Sequence, residues 1–176
     1  MRLFIAITLP SEIKDELYNV QNNFNSSFAK IKWVSKKNLH ITLKFLGDVD
    51  STEKIKERLE KIKFEPFELS LGNLDYFPNK KDMKIIWAEV FPKKEIISLQ
   101  QKIDSEFLNE ISTDQKFSSH LTLGRIKLIK KKKELLNYLD NIKLKEKSFK
   151  ISEFHLVESK LTKDGPKYII LETFNK

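Results

Sequence analysis

His40-Ile41-Thr42-Leu43 is the stretch from which the fold can be predicted, and it returns 80 positions later as His120-Leu121-Thr122-Leu123. The chain contains three histidines, and two of them open these motifs. In a β-strand successive side chains point to opposite faces, so the histidine and threonine of each motif share one face while the apolar pair shares the other. We therefore expect two strands that bury their apolar residues and present a histidine and a threonine to one cleft.

The two motifs belong to a longer internal repeat. Residues 1–10 and 83–92 are both strand-like segments that end in proline and precede the apolar stripe of an amphipathic helix. Each half thus reads as strand, proline, helix, motif strand and helix. Duplicated units usually pack about a pseudo-twofold axis. We predict an α+β fold: a duplicated two-lobed structure with two mostly antiparallel sheets, flanked by helices, around a central groove. Residues 1–176 would form a single bilobal domain.

Periodicity and turn residues predict the remaining elements. Beyond the first strand, strands are expected at residues 31–34, 38–46, 67–74, 83–91, 118–129, 149–161 and 168–174. The helix after Pro10 carries an apolar stripe at positions 13, 17, 20, 24 and 28. Later helices are expected after residues 51–52, after Pro92 and after the lysine-rich run 130–133, and a turn is expected at 76–79.

The composition is that of a basic protein without cysteine. Lys and Arg number 33 against 25 Asp and Glu, a net charge of +8. This excess fits a solubilising lysine-rich surface as well as it fits a polyanionic partner such as RNA or, less well, an anionic membrane. Without cysteine there is no disulfide, thiolate metal site or catalytic thiol. The apolar start is too short for a signal core, and no apolar run approaches the roughly 20 residues of a membrane span. We expect a cytoplasmic monomer with no membrane partner.

Longer segments around both motifs resemble a known family. They are Lys-Trp-Val at 32–34, Asn-Leu-His-Ile-Thr-Leu-Lys-Phe-Leu-Gly at 38–47, Ser-His-Leu-Thr-Leu-Gly-Arg at 119–125, Phe-His-Leu-Val-Glu-Ser at 154–159 and Gly-Pro-Lys-Tyr at 165–168. These segments resemble the RNA 2′,3′-cyclic phosphodiesterases of the two-histidine phosphoesterase superfamily, historically called 2′-5′ RNA ligases. The resemblance covers nearly the whole chain. It implies metal-free opening of a 2′,3′-cyclic phosphate at an RNA end, which leaves a 2′-phosphate, and a reverse joining through 2′-5′ linkages.

The residues of the two motifs suit acid–base chemistry on a phosphate. Histidine, with an ordinary pKa of about 6.5, can donate or accept a proton near neutral pH. The hydroxyls of Thr42 and Thr122 can donate to non-bridging phosphate oxygens, where negative charge builds in the transition state. Because the two halves are nearly symmetric, the sequence does not show which histidine donates the proton and which accepts it. The family resemblance implies His40 as proton donor and His120 as proton acceptor.

Several charged or titratable residues outside the two motifs could also lie near the cleft. Arg125 lies five positions after His120, so strict alternation would send it to the opposite face, but a bulge at Gly124 would turn it back. The family resemblance implies Arg125 as a phosphate contact. His155 lacks a following threonine and is expected to be structural. Lys44 and the run 130–133 are expected to add positive charge near the cleft. Neither a cofactor nor a metal is expected, because two histidines without a nearby carboxylate or thiolate do not form a zinc ligand set.

Three functions are compatible with these motifs. The leading interpretation is an enzyme acting on an RNA with a 2′,3′-cyclic phosphate terminus. A non-catalytic RNA or nucleotide-binding module of the same fold is the second, although loss of a motif histidine or threonine, which would favour it, is not seen. The third is a phosphodiesterase for small cyclic nucleotides or 2′-5′ oligonucleotides, whose motifs would be the same.

Overall fold

The structure, a computed structural model, describes residues 1–108 and 117–175. Its strands are β1 (Arg2–Thr8), β2 (Ala29–Trp33), β3 (His40–Asp48), β4 (Phe67–Pro78), β5 (Met83–Phe91), β6 (His120–Ile129), β7 (Ser148–Ile151), β8 (Glu153–Thr162) and β9 (Gly165–Asn175). Its helices are α1 (Ser11–Asn22), α2 (Glu53–Leu59), α3 (Lys93–Ser105) and α4 (Lys132–Asn141), and a short 3₁₀ helix spans Lys36–Asn38. No helix within the described residues is long and apolar enough to cross a membrane.

The strands form two sheets in which neighbouring strands run antiparallel. The first sheet has the order β3-β1-β8-β9 and the second the order β2-β6-β5-β4-β7. Each motif strand lies beside the strand that opens its half of the repeat, β3 beside β1 and β6 beside β5. The predicted α+β fold with two antiparallel sheets is confirmed.

The pairing register repeats in the two halves, one residue out of step with the repeat of the proline-ended segments. Ala6 on β1 lies opposite Thr42 on β3, and Trp87 on β5 lies opposite Thr122 on β6. Strand β3 also packs against β6, although the two belong to different sheets. The predicted arrangement of equivalent halves, with both motif strands meeting at a central groove, is therefore present.

The apolar residues of the motifs anchor these strands in the core. Ile41, Leu43, Leu121 and Leu123 are all buried and join one continuous cluster with apolar side chains of the helices. Burying a leucine or isoleucine side chain contributes about 1.5–3 kcal/mol. Because alternate residues of a strand face opposite ways, this anchoring directs the histidine and threonine of each motif to the groove.

Three of the predicted boundaries are wrong. Helix α1 ends at Asn22, so Phe24 and Phe28 lie beyond it and pack their rings against Tyr138 of α4. Helix α4 begins at Lys132, inside the expected lysine-rich turn. The strand expected at 149–161 is two strands, β7 and β8, because the chain crosses there from the second sheet to the first.

The turn expected at residues 76–79 is also wrong. Strand β4 continues through Tyr76 and Phe77 to Pro78, since both aromatic residues pair with β5. The turn follows at Asn79, whose side-chain oxygen accepts hydrogen bonds from the backbone N–H groups of Lys81 and Asp82. Side-chain capping of this kind by asparagine is a common way to form a turn. The correction matters because it places Phe77 in the sheet beside the second motif.

Candidate active site

Each motif histidine is held by a hydrogen bond to the backbone carbonyl two residues before it. The Nδ1–H of His40 donates to the backbone carbonyl of Asn38 at 2.6 Å, and the Nδ1–H of His120 donates to the carbonyl of Ser118 at 2.7 Å. A carbonyl oxygen can only accept, so this bond fixes the proton of a neutral imidazole on Nδ1. In both residues the lone pair is then on Nε2, which is the nitrogen able to accept a proton.

The threonine of the first motif contacts its histidine directly. The Thr42 hydroxyl donates to Nε2 of His40 at 2.9 Å, which keeps ring and hydroxyl on one face of β3. Thr122 stands two residues after His120 on β6 and shares its face by strand alternation. Each half therefore presents one imidazole and one hydroxyl.

Burial holds both imidazoles in the neutral form near neutral pH. Burial lowers the pKa of His40, while the Asn38 carbonyl raises it, and the charges of Lys14 and His120 lower it further. Burial likewise lowers the pKa of His120, against the Ser118 carbonyl, which raises it. The effect of His120 on His40 shows that the two rings lie within electrostatic reach of each other. The structure thus brings together the two histidines that the sequence singles out.

Aromatic rings enclose each imidazole on the sheet that carries it. The ring centroids lie 5.1 and 5.2 Å from His40 for Phe4 and Tyr168, and 5.2 and 5.7 Å from His120 for Phe77 and Trp87. These rings fix the imidazole planes and exclude water from one side. Burial among such apolar neighbours disfavours the charged imidazole and lowers its pKa.

Arg125 is turned towards the groove by a bulge. Leu123 is an extra residue between two pairs of the β5–β6 ladder, so Arg125 does not follow strict alternation from His120. Burial raises the pKa of Tyr168 and the charge of Arg125 lowers it, so Arg125 lies within electrostatic range of the first sheet. Gly124 allows close packing here, because a Cβ at this position would lie 2.7 Å from the Trp33 ring.

Lys44 does not lie in the cleft, and the sequence-based expectation is wrong. A corresponding bulge at Leu43 turns the Lys44 side chain into the core, where it is 1% exposed and forms an ion pair with Asp104 of α3. Of the run 130–133, Lys130 and Lys132 donate to the backbone carbonyls of Ser26 and Lys81. None of these lysines lines the cavity beside His40.

That cavity, of about 230 Å³, opens beside His40 on the first sheet. Its inner wall is apolar and contains Phe4, Ala6 and Val157, and Tyr168 closes one side. Three lysines, Lys14, Lys37 and Lys167, also line it. These lysines were missed by sequence reasoning, since they come from three separate segments and no local pattern links them.

His155 is buried beside this wall, on the face of the first sheet that also carries its pairing partner Ala6. Its Nε2 is 3.0 Å from the Thr8 hydroxyl and its Nδ1 is 3.0 Å from the Thr173 hydroxyl, so it joins β1, β8 and β9. Burial lowers the pKa of His155, and the charge of Glu153 raises it. Both nitrogens are engaged with protein groups, which agrees with a structural residue. Among the residues that the structure describes, no group of three or more His, Cys, Asp or Glu side chains could hold a metal ion.

A duplicated α+β fold with one His-x-Thr motif on each half defines the class of two-histidine phosphoesterases. The chain belongs to the LigT-like phosphoesterase family, whose model matches residues 7–87 and 90–168, one segment for each motif. It is 35% identical to the RNA 2′,3′-cyclic phosphodiesterase of Methanocaldococcus jannaschii, over 98% of this chain and 99% of that protein. It is 33% identical to the protein of the same name from Methanothermobacter thermautotrophicus, over 99% and 98%.

Solved structures show the same fold over the whole chain. A crystal structure of a Thermus thermophilus protein superposes with a TM-score of 0.81 at 26% identity, covering 99% of this chain and 97% of that one. The apo form of E. coli LigT superposes with a TM-score of 0.76 at 25% identity, covering 99% and 96%.

Proposed function

We propose that this protein hydrolyses the 2′,3′-cyclic phosphate at an RNA end to a 2′-phosphate by acid–base catalysis between His40 and His120. The observation that carries the proposal is the pair of imidazoles at one groove, each held through Nδ1 so that Nε2 is the nitrogen that can transfer a proton. The names of relatives that are 33–35% identical over nearly the full length support the same activity.

The shape of the groove indicates which histidine is the proton donor and which is the proton acceptor. On the His40 side, the small side chain of Ala6 leaves a cavity large enough for a nucleoside. On the His120 side the equivalent position is Trp87, which stacks on Phe77 at 4.8 Å and fills that space. The ribose and its departing 3′-oxygen would lie beside His40, and the attacking water would lie beside His120, where the indole occupies the space that Ala6 leaves open. This supports His40 as proton donor and His120 as proton acceptor.

The reaction then balances with the groups present. Nε2 of His120 takes a proton from water, the water oxygen attacks phosphorus, the bond from phosphorus to the 3′-oxygen breaks, and Nε2–H of His40 protonates that oxygen. The charge that develops on the non-bridging oxygens is stabilised by Thr42, Thr122 and Arg125. In the free protein burial keeps His40 neutral. The negative charge of the bound phosphate raises the pKa of His40 and so favours the acid form that the step requires.

Several finer predictions accompany this activity. They are the reverse 2′-5′ joining, a monomeric state, a cytoplasmic location, and a single bilobal domain over residues 1–176. The single domain is supported by the sharing of strands between the halves, since β8 and β9 complete the sheet begun by β1 and β3. The independence from metal and cofactor stays a prediction, which chelation tests.

The decisive experiment is to incubate the protein, with EDTA present, with an RNA oligonucleotide ending in a 2′,3′-cyclic phosphate and to identify the product end. We expect a 2′-phosphate. Binding without turnover would instead support the non-catalytic module. Turnover of a cyclic mononucleotide with no turnover of the oligonucleotide would support the small-nucleotide phosphodiesterase.

A further inference from the structure

Three lysines converge on the cavity beside His40. Lys14 comes from α1, Lys37 from the 3₁₀ helix and Lys167 from β9, and all three line the cavity. Among the side chains described by the structure, none that lines this cavity is acidic. An apolar pocket bordered by cations suits a ligand with an apolar body and a negative charge.

A hydrogen bond of Asn38 holds Lys37 and Lys167 at the same cavity. Its side-chain amide donates to the carbonyl of Pro166 at 2.7 Å and ties the 3₁₀ helix to the start of β9. Lys37 and Lys167 are the chain neighbours of these two residues, so the bond brings them to one cavity. Asn38 is buried, and its own carbonyl accepts the Nδ1–H of His40. One residue thus fixes the lysines relative to the proposed acid.

Lys14 adds a charge that is partly withdrawn from water. Its ammonium donates to the carbonyl of Lys37 at 3.2 Å. Burial lowers the pKa of Lys14, and the neighbouring Lys36 lowers it further. The charged form is disfavoured here by burial and by another cation, so a bound anion would relieve both effects.

We propose that Lys14, Lys37 and Lys167 form a second phosphate subsite, which binds the phosphodiester on the 5′ side of the terminal nucleotide and selects an RNA chain end over a lone cyclic nucleotide. The inference rests on the proposed function, which places the cyclic phosphate at the histidines and its nucleoside in the cavity. The 5′-oxygen of that nucleoside carries the next phosphate of an RNA chain. A free cyclic nucleotide with a 5′-hydroxyl offers nothing to this subsite.

The test compares ligands that differ only in the 5′-phosphate. Cytidine 2′-phosphate and cytidine 2′,5′-bisphosphate are titrated by calorimetry into the wild type, into Lys37→Gln/Lys167→Gln, and into the control Lys133→Gln/Lys143→Gln. The control removes two exposed lysines in and just after α4, which do not line the cavity. The same proteins are assayed on cytidine 2′,3′-cyclic phosphate with and without a 5′-phosphate, to compare kcat/KM.

We expect the wild type and the control to bind the bisphosphate about tenfold more tightly, as two exposed ion pairs would allow. The Lys37→Gln/Lys167→Gln protein should lose most of this preference, and its kcat/KM ratio should fall in parallel. Equal affinities for the two ligands in the wild type, or an equal loss in the control, would overturn the subsite. A binding preference without turnover of either cyclic substrate would leave the subsite standing and refute the proposed hydrolysis.

Discussion

Ala6 and Trp87 occupy equivalent positions in the two halves of the protein, each opposite the threonine of a motif. One is the smallest apolar side chain that a strand offers, and the other is the largest. The alanine leaves a cavity beside His40, whereas the indole packs on Phe77 and against His120. The duplicated site is therefore asymmetric where the substrate would enter, even though the histidines are held alike.

This asymmetry predicts the effect of filling the cavity. Ala6→Leu should raise KM for cytidine 2′,3′-cyclic phosphate by at least about 10- to 200-fold, the range expected when a pocket changes by a single methylene group. The effect on kcat should be smaller, because the imidazoles stay in place. Steady-state kinetics measure both, and Ala6→Ser, which preserves the volume, is the control. An unchanged KM in a folded Ala6→Leu protein would place the nucleoside elsewhere.

Removal of either motif histidine should abolish most turnover. His40→Ala and His120→Ala should each lower kcat about 10²- to 10⁴-fold, the usual contribution of a general acid or base. The double variant should lose little more, since the two groups act in one step. Single-turnover assays measure the losses, and circular dichroism checks the fold. A single variant with near wild-type kcat would remove that histidine from the mechanism.

The pH dependence follows from the lowered pKa values of both histidines. His120 must be neutral, so activity rises as pH rises through its pKa, and His40 must be protonated, so activity falls as pH rises through its own. Burial lowers both, so the bell-shaped profile of kcat/KM should peak below about pH 6.5. The profile of kcat should peak at higher pH, because bound phosphate raises both pKa values. Identical optima for the two parameters would contradict this electrostatic account.

Chelation tests the role assigned to the histidines. Each imidazole uses Nδ1 for a backbone carbonyl, and no carboxylate cluster adjoins either in the described ranges 1–108 and 117–175. Activity on a cyclic phosphate substrate should therefore remain after exhaustive dialysis against EDTA. The measurement is kcat before and after treatment, with zinc, magnesium and manganese added back. Loss of activity that one of these ions restores would rule out the proposed mechanism.

His155 should matter for stability and little for turnover. His155→Leu leaves the hydroxyls of Thr8 and Thr173 without their partner, at a cost of about 1–3 kcal/mol in the free energy of unfolding. Its ring does not line the cavity, so kcat should stay within a few-fold of the wild type. Urea unfolding and kinetics measure the two effects, and His155→Gln, which can keep a hydrogen bond, should lose less stability.

The same residue makes stability depend on pH. Because the pKa of His155 is lower in the folded protein than its ordinary value, the unfolded chain binds a proton first as the pH falls. The wild type should lose stability below about pH 6.5, and His155→Leu should lack that part of the loss. Parallel curves of unfolding free energy against pH for the two proteins would contradict the assignment.

Strand alternation and the repeat of the motif were enough to predict the two sheets, the equivalence of the halves and the position of both histidines at one groove. Beyond the second motif Gly124 indicated a bulge that turns Arg125 back, but beyond the first motif the direction of the side chains could not be predicted. In both motif strands one extra residue, Leu43 or Leu123, shifts the register. An ordinary leucine carries no local sign of a bulge. The shift buries Lys44, which alternation would place beside Thr42.

The asymmetry of the groove and its lysines were also beyond local reasoning. In the sequence, Ala6 and Trp87 both look like core residues of a strand. Only their pairing opposite the motif threonines shows that Ala6 leaves a cavity where Trp87 fills the space. Lys37 and Lys167 lie far apart in the sequence and come together through Asn38 and Pro166. A hydrogen bond between distant segments leaves no periodic pattern that could have indicated it.

The path of the chain has a mechanical consequence. It passes from β1 in the first sheet to β2 in the second, returns to β3, goes back to β4, and returns once more from β7 to β8. Several crossings of the chain therefore join the lobes, and a swing of one lobe would have to deform all of these connections together. We expect the separation of His40 and His120 to be set during folding, with little domain closure on substrate binding. The free energy of substrate binding would then not be used to move one lobe against the other, and the chemical step should need no gating motion.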